Sequence, residues 1–264
     1  MYDFAYQKPS SLADVVATLS GDMDAKALAG GQTFIPVLKQ RLNKPSVVVD
    51  LAKLGLSGIK VAGDKVVIGA MTTHATIAAS AEIAAKIPGL QHQASLIGDE
   101  AVRHRGTMGG SLANNDPAAC YPSAVLALGG TIVTDRRSVA ADDFFQGMFT
   151  TALEQGEIIT SIELPVPQRS AYEKFRNPAS RYAIVGVFVA KFAGGVRLAI
   201  TGASQGGVFR HTEMETALSA NFSPDAIAGI VTPANGLNGD IHASPEYRAH
   251  LIGVVSKRAV AKAV

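Results

Sequence analysis

The stretch Arg103-His104-Arg105-Gly106-Thr107-Met108-Gly109-Gly110-Ser111-Leu112-Ala113-Asn114-Asn115-Asp116-Pro117 decides how the whole chain is read. Its Thr107 to Ser111 segment has the chemistry of a phosphate cradle. Glycine has no Cβ, so the backbone can take positive φ and approach a ligand closely. Successive amides then converge on one point and form an anion-binding nest. Thr107 and Ser111 add hydroxyl donors at the two ends. Asp116-Pro117 reads as the start of a helix, with Asp as N-cap and Pro at the first helical position. The apolar run Ala118 to Leu128 continues that helix until Gly129-Gly130 stops it.

A Gly-Gly turn by itself often does no more than redirect the chain. A second copy near the N-terminus changes the reading. There the short apolar strand Lys26 to Ala29 ends in Gly30-Gly31-Gln32-Thr33, and a helical stretch, Phe34 to Leu42, follows. Two glycine-rich turns, each opening a helix, suit a ligand with two linked phosphates.

The remaining pattern divides the 264 residues into three parts. Residues 1–55 read as a small α/β unit. A helix bearing Leu12, Val15, Val16 and Leu19 on one face precedes a βαβ crossover that ends in Val47 to Leu51. Residues 56–167 begin with a hairpin turning at Ala62 to Lys65. An alanine-rich helical region to Pro88-Gly89, a helix Leu90 to Gly98 and the central glycine segment follow. Strands at 130–135, 138–140 and 157–164 close this part, and Pro165 and Pro167 mark a boundary. Residues 168–264 read as antiparallel strands at 171–176, 183–192 and 196–202, then helices at 212–220, 224–230 and 245–264. A sheet with helices on one side is the expected packing.

Composition removes several function classes. Apolar residues make up 47% and charged ones 17%, ordinary values for a globular chain. The net charge is +2 and the basic residues are scattered, whereas a nucleic-acid surface concentrates them in a stripe. Cys120 is the single cysteine, which excludes an internal disulfide, an all-cysteine zinc site and an iron–sulfur cluster within this chain. No hydrophobic leader or bilayer-length apolar run is present, so a cytoplasmic location is the expectation. No Ser-His-Asp arrangement, His-x-x-x-His pair or nucleophile elbow is recognisable, so no catalytic side chain is assigned.

Five pieces, in order, carry a family resemblance. They are Ala29 to Thr33, Ile68-Gly69-Ala70-Met71-Thr72-Thr73-His74, Arg103 to Leu112, Asp143-Phe144-Phe145 with Glu157-Ile158-Ile159, and Asp240-Ile241-His242-Ala243-Ser244-Pro245-Glu246-Tyr247-Arg248. Together they resemble the flavin-binding medium subunit of molybdenum hydroxylases, the family of the carbon monoxide dehydrogenase medium subunit and the xanthine dehydrogenase flavin domain. The resemblance implies an α+β fold with an α/β N-terminal lobe. In that fold a two-part FAD-binding domain is followed by a C-terminal antiparallel sheet with packed helices. It implies FAD on this chain, gripped at its diphosphate by Ala29, Gly30, Gly31, Gln32 and Thr33 and by Thr107, Gly109, Gly110 and Ser111, with Thr72 nearby; His74 reads either as a hydrogen-bond partner of the ligand or as a helix-cap or supporting residue behind it. Relatives place an acidic residue shortly after the second turn, and here that register falls on Cys120. Asp116 is the other candidate, although its N-cap role competes, and both readings stand. Cys120 is also readable as a nucleophile or as a small buried apolar residue. Tyr182 resembles a segment that approaches the isoalloxazine ring, or is a strand-edge tyrosine covering the core.

The implied function is electron transfer. Substrate is oxidised at a molybdenum cofactor on a large subunit, and electrons pass through 2Fe–2S clusters of a small subunit to this FAD and on to an acceptor. The implied assembly is a dimer of heterotrimers. The rivals are a self-contained FAD-dependent oxidoreductase and a non-enzymatic module that binds a phosphorylated ligand.

Overall fold

The computed structural model describes all residues, 1–264, and contains three sheets plus a two-stranded ribbon. The first sheet is parallel and runs in the spatial order Ala5–Gln7, Val47–Asp50, Lys26–Leu28. Its central strand is buried on both faces, as parallel packing requires. The first strand, Ala5–Gln7, is fully exposed, and its lack of apolar alternation hides it from a pattern reading. The helix Leu12–Gly21 starts at Ser11, whose hydroxyl accepts from the Asp14 amide, and it buries Val15 and Leu19. The lobe's own core is small: Val15, Leu19, Ala25, Val49 and Leu51, joined by Ile158 from the second part.

The second sheet is antiparallel, in the order Ile59–Ala62, Lys65–Gly69, Ile159–Pro165, Thr131–Thr134, Ser138–Ala140. Its long insertion is almost entirely helical. The alanine-rich region is two helices, His74–Ala79 and Ala81–Lys86. Ser80 ends the first and caps the second by accepting from the Ile83 amide. The next helix runs Pro88–Ser95 rather than Leu90 to Gly98, and a further one, Glu100–Arg105, fills the segment before the glycines.

Two expectations for the central stretch are corrected. Thr107 to Ser111 is not a loop ahead of a helix. It is the beginning of one, Met108–Asn114, with the Thr107 hydroxyl accepting from the Gly110 amide. Asp116-Pro117 does not start a helix either. Asn115 at φ 42° turns the chain out of the first helix, Asp116 accepts from the Ala118 amide, and the next helix is Tyr121–Ala127 with Pro122 in its first turn.

The third sheet, Arg169–Arg176, Ala183–Phe192, Gly195–Thr201 and Phe209–Arg210, is antiparallel throughout. It is not covered on one side only. Ala183 to Ala190 is buried without interruption, the mark of a strand with both faces packed. Val185, Val187 and Val189 face the helices Thr212–Ala220 and Pro245–Lys262. Tyr172, Phe188 and Ala199 share a core with Tyr121–Ala127 and Pro88–Ser95. The buried surface therefore runs across the proline-marked boundary, and the sheet serves as a floor beneath the second part.

Candidate functional site

The two glycine segments meet. A Cβ on Gly30 would collide with the Arg105 carbonyl oxygen and the Gly106 Cα, and one on Gly110 would stand 3.2 Å from the Ala29 Cβ. A Cβ on Gly109 would stand 2.6 Å from that of Ala70. The Thr72 carbonyl accepts from Met108 N–H at 3.0 Å, and the Gly106 carbonyl accepts from His74 N–H at 2.9 Å. Segments far apart in sequence are thus pressed together, backbone on backbone.

Glycine is required at the two places for different reasons. Gly31 has φ 73°, a conformation that L side chains rarely adopt. The amides of Gly30, Gly31, Gln32 and Thr33 have no acceptor within the protein, so four successive donors are free, as an anion site needs. Gly109 and Gly110 have no positive φ, and what they provide is absence of bulk. The amides of Met108 and Gly109 already serve the Thr72 and Ala70 carbonyls, and that of Gly110 serves Thr107 Oγ1. The second segment therefore offers close approach and the hydroxyls of Thr107 and Ser111, not the nest of amides that its sequence suggests.

Both segments open onto one cleft of about 790 Å³, whose walls come from all three parts of the chain. That volume lies within the range of sites for large organic ligands, roughly 300–1,000 Å³. Every candidate residue except Thr72 lines it. Thr72 is buried behind the wall, where its hydroxyl donates to the Gly58 carbonyl at 3.0 Å and accepts from the Gly58 amide. Asp116 and Cys120 both reach the cleft. Asp116 Oδ1 holds the Ala118 amide at 2.8 Å, and Cys120 Sγ lies 3.6 Å from Lys174 Nζ. Tyr182, about half exposed, stands near both, and its hydroxyl pKa is raised by burial and then by the charges of Asp116 and Cys120.

His74 opens the helix His74–Ala79, with its ring edge-on to Tyr121 at 5.1 Å and its Nδ1 buried without a partner. Burial, and next the Arg103 charge, lower its pKa from 6.5 to about 4, so the ring is neutral at pH 7. The unfolded chain then binds one more proton than the folded one between pH 6.5 and 4, and stability is expected to fall as pH drops through that window. The loss is roughly 3 kcal/mol, at about 1.4 kcal/mol per pH unit. Urea unfolding at stepped pH checks this: His74→Leu should flatten the slope, and an unchanged slope would remove His74 as its source.

Lys174, Arg181 and Phe149 also line the cleft but escaped the sequence reading. Arg181 at φ 63° and Phe149 at φ 54° are left-handed non-glycine residues. Such conformations cluster at ligand clamps, yet nothing in the residue types announces them.

Free amides of one glycine segment and the hydroxyls of the other line one cleft, an arrangement suited to a phosphorylated ligand. Residues 2–167 match the family model described as the FAD binding domain in molybdopterin dehydrogenase, and the chain belongs to that family. Its cofactor is FAD and it is a subunit of an oxidoreductase. It is 37% identical to the nicotine 6-hydroxylase medium subunit of Paenarthrobacter nicotinovorans, covering 98% of this chain and 96% of that one. It is 35% identical to the carbon monoxide dehydrogenase medium chain of Afipia carboxidovorans, with the same coverage. The solved structure of reconstituted CO dehydrogenase from Oligotropha carboxidovorans superposes with a TM-score of 0.89 at 34% identity, over 99% of this chain and 97% of that one. No helix is long and apolar enough to cross a membrane.

Proposed function

We propose that this chain is the electron-transferring flavin subunit of a molybdenum hydroxylase. In this reading it works beside a large subunit with the molybdenum cofactor and a small subunit with 2Fe–2S clusters, as a dimer of heterotrimers in the cytoplasm. The observation that carries the reading is the meeting of the two glycine segments in one cleft walled by all three parts of the chain. His74, the buried histidine there, is neutral at pH 7 and its free nitrogen is enclosed. Bound FAD would supply the redox chemistry, taking up and giving out electrons at its ring.

The protein's part is placement. The amides of Gly30 to Thr33 would hold one phosphate, and the hydroxyls of Thr107 and Ser111 the other. Hydrogen bonds to charged groups are each worth about 1.5–3 kcal/mol, so such a set holds a diphosphate without a lysine. Asp116 has its second carboxylate oxygen free of protein donors to accept from the sugar-alcohol chain. Tyr182, which lines the same cleft, would cover the ring.

Affinity purification of the tagged chain from its native host, with metal analysis, tests the reading. Recovery of two further chains, with molybdenum, iron and FAD, is expected. The chain purified alone, free of molybdenum, should not turn over the complex's substrate. Turnover by that preparation would overturn the assignment in favour of a self-contained oxidoreductase.

A further inference from the structure

Resting on that reading, we propose that Lys174 positions the loop over the flavin ring and sets the charge the ring experiences. The side chain projects from the strand Arg169–Arg176 into the wall of the cleft. Its ammonium has three hydrogens, and the structure gives it three acceptors: Leu96 O at 2.7 Å, Arg181 O at 3.0 Å and Cys120 Sγ at 3.6 Å. It ties together the segment after the helix Pro88–Ser95, the 177–182 loop that carries Tyr182, and the start of the helix Tyr121–Ala127.

None of the three partners is a carboxylate, and Lys174 forms no ion pair. Two arginines of intermediate burial are neutralised, Arg197 by Asp142 and Arg210 by Asp142 and Glu215, whereas Arg103, like Lys174, has no carboxylate partner and bonds to carbonyls. A half-buried ammonium without a counter-anion is costly by itself and favours negative charge arriving beside it. Reduction of the flavin ring brings such charge. The contact with Arg181 adds a positional role. That residue is held at φ 63°, and its carbonyl is pinned by Lys174 one position before Tyr182.

The test uses the complex as it is isolated and reads the ratio of reduced to oxidised flavin in a spectroelectrochemical titration. Lys174→Met should lower that ratio at fixed potential at least about tenfold, which is about 30 mV for a two-electron couple. Lys174→Arg, which keeps the charge, should stay within roughly threefold of the parent, on the same conversion. Cys120→Asp leaves the lysine and its carbonyl contacts in place but sets a carboxylate beside the ammonium, so it should shift the ratio in the same direction as Lys174→Met. If Lys174→Met emerges without flavin, Lys174→Gln, which keeps hydrogen-bond donors but not the charge, is read in its place. An unchanged ratio in FAD-loaded Cys120→Asp, or in FAD-loaded Lys174→Met, overturns the proposal. A parent complex without FAD would instead sink the reading on which it rests.

Discussion

Gly110→Leu is expected to leave the chain folded and its flavin site empty. Gly110 lies in the first turn of the helix Met108–Asn114 without positive φ, and leucine favours that conformation more than glycine does. The damage is local. A Cβ there would sit 2.8 Å from Thr107 Oγ1 and 3.2 Å from the Ala29 Cβ, and the rest of the side chain must enter the space between the two segments. Loss of close approach to the diphosphate should weaken FAD binding at least about a hundredfold, or about 2.8 kcal/mol. Flavin released from the purified complex, counted per chain, provides the measure, and circular dichroism confirms the fold. Gly110→Ala should fall between, because the Thr107 hydroxyl can rotate away from one methyl group. Full yellow colour in Gly110→Leu would show that the cofactor does not pass between the segments.

The second large effect concerns stability. The Glu157 carboxylate is completely buried and receives Arg137 Nε at 3.0 Å and Nη2 at 2.9 Å, the Thr134 hydroxyl at 2.8 Å and the Glu154 amide at 2.8 Å. The Arg137 guanidinium leads the groups that hold its pKa down from 4.5 to about 2, against the opposing effect of burial. Glu157→Ala should cost about 3 kcal/mol. That is the low end for breaking a buried pair, because Arg137 remains 42% exposed and water screens its charge. In the parent, this contribution is complete above about pH 4.5 and disappears as pH falls toward 2, since the depressed group must then take up a proton. Denaturant unfolding at neutral pH and in acid checks both parts. A shift below about 1 kcal/mol, the range of an exposed pair, would contradict them.

The position of Glu157 links this stability to the site. It precedes Ile158, which completes the core of the first lobe, and Gln155 Nε2 donates to the Leu19 carbonyl at 2.7 Å. Further contacts join the first lobe to the rest: Arg136 Nη2 donates to the Ser20 hydroxyl at 3.3 Å, and Gly30 packs against the Arg105 carbonyl. A ligand bound between lobes adds its binding energy to their docking.

Much of this was legible in the sequence. The long strands of the third sheet and the βαβ unit follow from apolar pattern and turn chemistry, and the two glycine segments pointed to one cleft. What the sequence concealed has physical causes. Gly109 and Gly110 look like turn residues, because the residue type does not reveal whether a glycine serves φ or clearance. Only the neighbouring Ala70 and Ala29 decide that. Asp116-Pro117 has the residues of a helix start, but Asn115 in the left-handed region redirects the chain before the cap can form. Lys174 lies on a strand whose pattern gives no sign that its ammonium ends among two carbonyls and a thiol from distant segments. Pairings of that kind are set by tertiary packing.

The central claim is that two hollows of different kinds, one of free amides and one of hydroxyls and clearance, enclose one diphosphate. A crystal structure of the FAD-loaded complex tests it most directly. The expected result places the two phosphates between Gly30–Thr33 and Thr107–Ser111, with the ring toward Tyr182 and Lys174. Phosphates bound away from either segment would contradict it.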